Sequence, residues 1–130
     1  MGDDAIGTIG WVDLTVEHAD RVRDFYAAVV GWESTGVEMG GYEDFAVGPP
    51  GSGGVAGVCF ARGGNAEIAE KVGAAWLMYV TVRSVDDALA ACRANGGELL
   101  VGPKSMGSHR YAVIRDPGGA AMAVIESSGS

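Results

Sequence analysis

Residues Trp11-Val12-Asp13-Leu14-Thr15-Val16, WVDLTV, open an acidic, helix-prone run that closes at Gly31. Residues Leu77-Met78-Tyr79-Val80-Thr81-Val82, LMYVTV, open a second such run that closes at Gly97. The two stretches lie 66 residues apart, and the same offset carries Asp20 onto Asp86 and Gly31 onto Gly97. It also carries Phe45-Ala46-Val47 onto Tyr111-Ala112-Val113, and Gly57-Val58-Cys59 onto Ala123-Val124-Ile125. Four segments in one register without a gap indicate an internal duplication, which dictates architecture.

Each half reads as β-α-β-β-β. The first strands are expected near 8–16 and 75–82, where β-branched residues suit a pleated surface. Helices follow. Ala19, Val22, Tyr26 and Val29 make the apolar stripe of the first, flanked by Phe25 and Val30; Val85, Ala88, Leu89 and Cys92 make that of the second. Ser84 is a good N-cap, Asp86 and Asp87 complement the positive helix end, and Gly31 and Gly96-Gly97 stop the two helices. Three strands complete each half, near 32–39, 42–47 and 55–61, then near 98–104, 110–115 and 120–126. Gly40-Gly41 signals a hairpin, and Asp116-Pro117-Gly118-Gly119 the last turn. The expected organisation is one α+β domain over 1–130: module one at about 6–61, a linker at about 62–74 and module two at about 75–126. A module of roughly 60 residues buries little surface alone. Two packed together would close a curved mixed sheet around a central cavity.

Composition narrows the function classes. The formal charge of −8 and pI near 4.5 argue against nucleic acid and anionic membranes as partners. No apolar run approaches the roughly 20 residues of a membrane span. The acidic start Met1-Gly2-Asp3-Asp4 lacks the basic and apolar regions of a secretory signal. Cys59 and Cys92 build no disulfide framework, so the expectation is a cytoplasmic protein with two reduced thiols. The 22 glycines, about twice the usual share, read as turn positions. The loop GPPGSGGVAG (48–57) lacks the Lys-Ser/Thr of a phosphate-binding loop and opens no helix. The tail Ser127 to Ser130 reads as flexible.

The paired modules resemble the vicinal oxygen chelate superfamily of glyoxalase I, bleomycin-resistance proteins, fosfomycin-resistance enzymes and extradiol dioxygenases. The motifs are VDLTV…ADRVRDFYAAVVGW, VAGVCFARG, WLMYVTVRSVDDALAACRANGG and YAVIRDPGGAAMAVIE, from about Ile6 to Glu126. The FYxxxxGW pattern (Phe25, Tyr26, Gly31, Trp32) and the RDPGG turn are especially typical. The resemblance implies a divalent-metal site with one His or Glu ligand on each of four cavity strands. Those positions fall on Trp11, Gly57, Leu77 and Ala123, none of which coordinates a metal through its side chain. The expectation is therefore no metal and no cofactor.

Side chains alternate along a strand, so parity names the neighbours of those four positions. Asp13 and Thr15 go with Trp11, Tyr79 and Thr81 with Leu77, Cys59 with Gly57, and Ile125 with Ala123. Tyr111 and Val113, with their repeat partners Phe45 and Val47, are expected on the same face. The expected ligand-binding cavity is thus Trp11, Asp13, Phe45, Gly57, Cys59, Leu77, Tyr79, Tyr111, Val113, Ala123 and Ile125. Asp13 is either a structural carboxylate bonded to Tyr79 or a backbone N–H, or a polar anchor or general base. Trp11 either stacks on a flat ligand or fills the vacated metal position. Tyr79 and Tyr111 either orient a ligand or are ordinary buried tyrosines. Cys59 reads as a small buried hydrophobe, without an activating neighbour. His18 and His109 complete no ligand set, and Arg110 is either a surface residue or meets an anion at the cavity mouth.

The function that follows is a metal-free small-molecule binding protein of the bleomycin-resistance kind, working as a homodimer. The alternatives are a metal-independent lyase, isomerase or hydrolase that uses Asp13 and the cavity tyrosines, and a metal-dependent lyase or dioxygenase with displaced ligands.

Overall fold

The computed structural model describes residues 5–127, and its elements follow the duplicated order. The strands are β1 (Ile9–Val16), β2 (Glu33–Glu38), β3 (Glu43–Gly48), β4 (Ala56–Phe60), β5 (Trp76–Val82), β6 (Glu98–Met106), β7 (His109–Arg115) and β8 (Ala121–Glu126). The helices are α1 (Ala19–Val30), α2 (Ala66–Val72) and α3 (Val85–Ala94), with a 3-10 turn at Gly63–Asn65. None of the described helices is long and apolar enough to cross a membrane. The architecture is α+β, and the chain divides into two compact units. The first is Trp11–Trp76; the second joins Leu77 and the residues after it to the segment ending at Gly10.

In the first unit the strand order is β2-β3-β4-β1, and β1 pairs with β4 in parallel, Asp13 opposite Gly57 and Thr15 opposite Cys59. In the second the order is β5-β8-β7-β6, and β5 pairs with β8 in parallel, Tyr79 opposite Ala123 and Thr81 opposite Ile125. Each β5–β8 pairing equals a β1–β4 pairing shifted by 66 residues on both strands. The offset read from the sequence thus holds in these two parallel ladders.

Each unit packs its helix on one sheet face. Ala19, Phe45, Val47, Ala56 and Val58 form the core of the first, with Val12, Val16, Val22, Trp32, Phe60 and Trp76 against it. Tyr26 joins by edge contacts with Trp76 and Phe25, and Trp76 Nε1 donates to Tyr26 Oη at 3.2 Å. Val85, Leu89, Ala112 and Val124 form the core of the second. Gly31 closes α1 in the left-handed region at φ 77°, which a residue without Cβ adopts freely, and donates to Ala27 O. Arg110 binds Asp86 through both guanidinium nitrogens at 3.1 and 3.2 Å and lies 3.6 Å from Glu126. Glu126 in turn accepts from Val85 N at 2.9 Å, so the start of α3 is tied to β7 and β8.

Several expectations change. The linker 62–74 holds the 3-10 turn and α2, whose Ile68 is buried. A helix of seven residues, about two turns, lies below what apolar periodicity resolves. The segment before Gly10 belongs with the second unit: Gly7 N donates to Thr81 O and Thr81 N to Thr8 O, at 2.8 and 2.9 Å. Module one therefore does not begin at residue 6. Val29, placed in the α1 stripe, is 61% exposed because α1 turns its Ala19–Val22–Tyr26 side to the sheet. Ser127, read as tail, donates to Val82 O at 3.1 Å; Ser128 to Ser130, like Met1 to Asp4, lie outside the described residues.

The helix starts differ in chemistry. Ser84 Oγ accepts from Asp87 N at 3.1 Å, whereas His18 places no side-chain bond on the start of α1. Ser84→Ala is expected to lower unfolding free energy by about 1 kcal/mol. His18→Ala should leave it within about 0.5 kcal/mol, a typical surface effect. Urea unfolding of the two variants checks the contrast.

Candidate functional site

The face of each sheet opposite its helix carries the residues that parity nominated, except Phe45 and Val47. In the first unit this face holds Trp11, Asp13 and Thr15 on β1 and Gly57 and Cys59 on β4, as the parallel register requires. Trp11 Nε1 donates to Asp13 Oδ1 at 2.5 Å, both residues being half-buried. That pair lies over Gly57. A Cβ there would collide with Asp13 Oδ1 and stand 3.3 Å from Trp11 Nε1. Glycine at this position is what lets the indole and carboxylate meet above the strand.

Phe45 and Val47 are not on this face. Phe45 pairs with Val58 and Ala46 with Gly57, so Phe45 and Val47 point into the α1 core, and the Arg23 guanidinium covers the Phe45 ring at 4.4 Å. The duplicated offset fails here by one residue, because Tyr111 pairs with Ile125 rather than with Val124. The cause is the connection Gly48–Val55, which closes with Val55 N donating to Val47 O at 2.8 Å and brings Val47 opposite Ala56. One residue of slip exchanges the two faces of a strand.

The slip puts Asp44 where Phe45 was expected. Asp44 is only 5% exposed, bonds Cys59 and accepts from Phe60 N at 2.9 Å. Burial raises its pKa above the ordinary carboxylate value, and the bonds from Phe60 N–H and Cys59 offset part of that rise. Burial, then the Asp13 and Asp44 carboxylates, push the half-buried Cys59 thiol far above its usual range, so it is no nucleophile at neutral pH. Sequence reading missed Asp44 because the register of β3 on β4 follows from how the Gly-rich loop closes, which residue alternation does not show.

In the second unit Leu77, Tyr79 and Thr81 share a face with Ala123, Ile125, Tyr111 and Val113. All seven are buried, with Leu77 at 2% and Ala123 at 0% exposure. The Tyr79 and Tyr111 rings lie 6.2 Å apart and tilted by 47°. Arg110 alternates to the opposite side and is held by Asp86 and Glu126, away from this face. His109 is half-buried and donates from Nδ1 to Glu126 O at 3.1 Å; His18 is exposed beside Glu17. Among the described residues, no three His, Cys, Asp or Glu side chains gather as a metal would require.

The chain belongs to the Glyoxalase/Bleomycin resistance protein/Dioxygenase superfamily, whose model matches residues 8–124. A Mycobacterium tuberculosis protein named "Putative glyoxylase CFP32" is 30% identical over 128 residues, covering 92% of this chain and 44% of its own length. The anthracycline biosynthesis protein DnrV of Streptomyces peucetius is 30% identical over 134 residues, covering 92% and 47%. The chain thus spans about half the length of the curated relatives it matches. Methylmalonyl-CoA epimerase from Mycobacterium tuberculosis superposes with a TM-score of 0.58 at 19% identity, covering 98% of this chain and 93% of that one. A hypothetical protein from Bacillus halodurans, BH1468, does so at 0.60 and 14%, covering 93% and 94%. These structural likenesses are of fold.

Two outcomes test the geometry. Gly57→Ala should cost about 1–3 kcal/mol, the scale of overpacking. Adding Asp13→Ala removes the atom the new methyl meets, so the double variant should be more stable than the sum by at least about 0.5 kcal/mol. Chemical denaturation of the four proteins measures that coupling. Asp44 gives the pH test. Its folded pKa is raised, so its contribution to stability is full below the unfolded value of about 3.9 and declines as pH rises through the folded pKa. Asp44→Asn keeps an acceptor for Phe60 N–H without the charge. Its melting temperature relative to wild type should therefore climb from pH 3 upward and level off once Asp44 is ionised in the folded protein; a flat or falling difference contradicts this.

Proposed function

We propose that this member of the superfamily is a metal-free binding protein for a small molecule. The binding groups are Trp11 and Asp13 on the open face of the first unit. The observation that carries this reading is the Trp11–Asp13 hydrogen bond over Gly57. It fills the space in which this family's enzymes would hold a ligand from β4, and Leu77 and Ala123 offer only apolar groups on the second unit. The residues present do not fit a divalent ion, so no Lewis acid is available for glyoxalase I chemistry.

A flat aromatic ligand suits these groups. An indole fixed by a carboxylate is a stacking surface that loses little further freedom on binding. One relative is named for anthracycline biosynthesis, which supports the same ligand class. Asp13 supplies an acceptor for a ligand N–H, O–H or ammonium group. We assign the protein to the cytoplasm and to a homodimer; the fully exposed end strand β2 supports the latter by leaving a ladder edge to pair or cover.

A metal-independent lyase, isomerase or hydrolase is the second reading, favoured by Asp44. A buried carboxyl of raised pKa, hydrogen-bonded to Cys59, is a proton holder of the kind acid–base catalysis uses. Turnover of the bound molecule separates this reading from the first.

Protein purified without chelators should carry well below one transition metal per chain by elemental analysis, and zinc, nickel or manganese should not raise its melting temperature. For a small molecule identified by thermal-shift screening, Asp13→Asn should weaken binding by roughly 1.5–3 kcal/mol in titration calorimetry. Stoichiometric metal, or equal affinities, would contradict the respective halves of the proposal.

A further inference from the structure

We infer that two copies of this chain pair edge to edge through β2, antiparallel about a twofold axis at Gly36; this rests on the homodimer assignment above and names the surface that makes it. All six residues of β2 are exposed, and β2 ends the strand order of the first unit. A bare edge is a template for another strand, and proteins guard such edges with Pro, Lys, bulges or a cover. The end strand of the second unit is guarded in this way. β6 carries Lys104 and Pro103, which offers no N–H, and its ladder with β7 slips twice. β2 has neither Pro nor Lys, and it runs against β3 in one register from Glu33 to Glu38.

That register decides which backbone groups face outward. Met39 N donates to Tyr42 O at 2.9 Å, so Met39 and Tyr42 form a hydrogen-bonded pair at the mouth of the hairpin. Such pairs alternate with non-bonded ones along an antiparallel ladder. Val37–Asp44, Thr35–Ala46 and Glu33–Gly48 are then the bonded pairs, and Ser34, Gly36 and Glu38 turn their N–H and C=O away from β3. Val47 agrees: it stands opposite Ser34 and gives its carbonyl to Val55 N on its other side.

A second copy of β2 meets this edge only in registers that join outward residues to one another. With Gly36 on the axis all of them find partners: Gly36 pairs with Gly36 of the partner subunit, and Ser34 with Glu38 of the partner subunit. Sliding the strands by two residues either way leaves an outward residue unmatched within the strand. Sliding by one, which would set Glu33 against Glu38 of the partner subunit, breaks the alternation of hydrogen bonds. The side chains suit the axial register. Thr35 falls opposite Val37 of the partner subunit, a β-branched pair of the kind that stabilises sheets, and it covers a valine otherwise 45% exposed. Glu38 takes its turn bonds from Gly40 N and Gly41 N on Oε2, which leaves Oε1 to the hydroxyl of Ser34 of the partner subunit. This self-complementarity selects a second copy as the occupant. The opposing effect is also on the axis: the Glu43 carboxyl lies over Gly36, where a Cβ would collide with it, so two like charges meet there. The pairing closes at two copies, because it leaves the guarded β6 edges outside.

One added strand pair is a narrow contact, so sedimentation velocity of the whole chain should show a monomer–dimer equilibrium between about 10 μM and 1 mM. Salt of about 0.15 M screens the −8 charge of each copy. Ser34→Pro removes an outward N–H and nothing from the β3 ladder. It should weaken the dimer by about tenfold or more and keep the wild-type melting temperature at the dilute end. Glu43→Gln should tighten the dimer by about twofold or more, a direction that damage to the fold cannot produce. The double variant Thr35→Cys/Val37→Cys should form a disulfide between subunits on mild oxidation, joining positions 35 and 37, and Thr35→Cys alone should not. A wild type that stays monomeric throughout overturns the homodimer assignment and this inference together. A dimer that ignores Ser34→Pro, a Ser34→Pro chain that loses its fold, a Glu43→Gln dimer no tighter than wild type, or no cross-link between positions 35 and 37 overturns the β2 pairing alone.

Discussion

The parallel pairings of β1 with β4 and of β5 with β8 are the constraint on which the rest of the molecule depends. Each joins the first strand of a module to its last, so the helix and two strands between them are folded back within a closed stretch of chain. Asp13 opposite Gly57 and Tyr79 opposite Ala123 fix which side chains look away from the helix in each unit. Parallel ladders are slightly weaker per residue than antiparallel ones. Here each is buttressed by an apolar helix core, around Ala19 and Val58 in one unit and Leu89 and Val124 in the other.

On that scaffold the two units have diverged in opposite chemical directions. The first unit collects acceptors. Asp13 is held by the Trp11 indole, and Asp44 is buried against the Phe60 amide and hydrogen-bonded to Cys59. The second unit collects donors and apolar groups: Tyr79, Tyr111 and Thr81 among Leu77, Val113, Ala123 and Ile125. A buried carboxylate is costly without partners, and each of these has one that a sheet supplies at no conformational expense. Trp11 is two residues along the same strand, and Phe60 N lies on the neighbouring one.

Much of this was legible in the sequence for a physical reason. A duplicated chain samples the same pattern twice, so one constant offset names strands, helices and stops together, and it nominated Trp11, Gly57, Leu77 and Ala123 without coordinates. Parity then placed Asp13, Cys59, Tyr79 and Tyr111 on faces that the ladders bear out. It failed at Phe45 and Val47 because parity holds within a strand but not across a loop whose closure sets the register. It was silent on the register of β6 for the same reason, since two slips against β7 leave no trace in composition. Helix α2 was missed because seven residues carry too little periodicity. The pairing of the segment before Gly10 with Thr81 was missed because backbone hydrogen bonds are blind to residue type.

The Gly48–Val55 connection has a further meaning. The spacing from Phe45 to Gly57 equals that from Tyr111 to Ala123, yet Phe45 pairs with Val58 whereas Tyr111 pairs with Ile125. The two connections close differently, through Val55 N on Val47 O in one unit and Asp116 N on Ala120 O in the other. Stretches of equal length thus present the Asp44 carboxyl on the open face of the first unit and the Tyr111 ring on that of the second. Turn geometry here does what a substitution does elsewhere: it changes the chemistry of a surface, with no residue exchanged and none inserted.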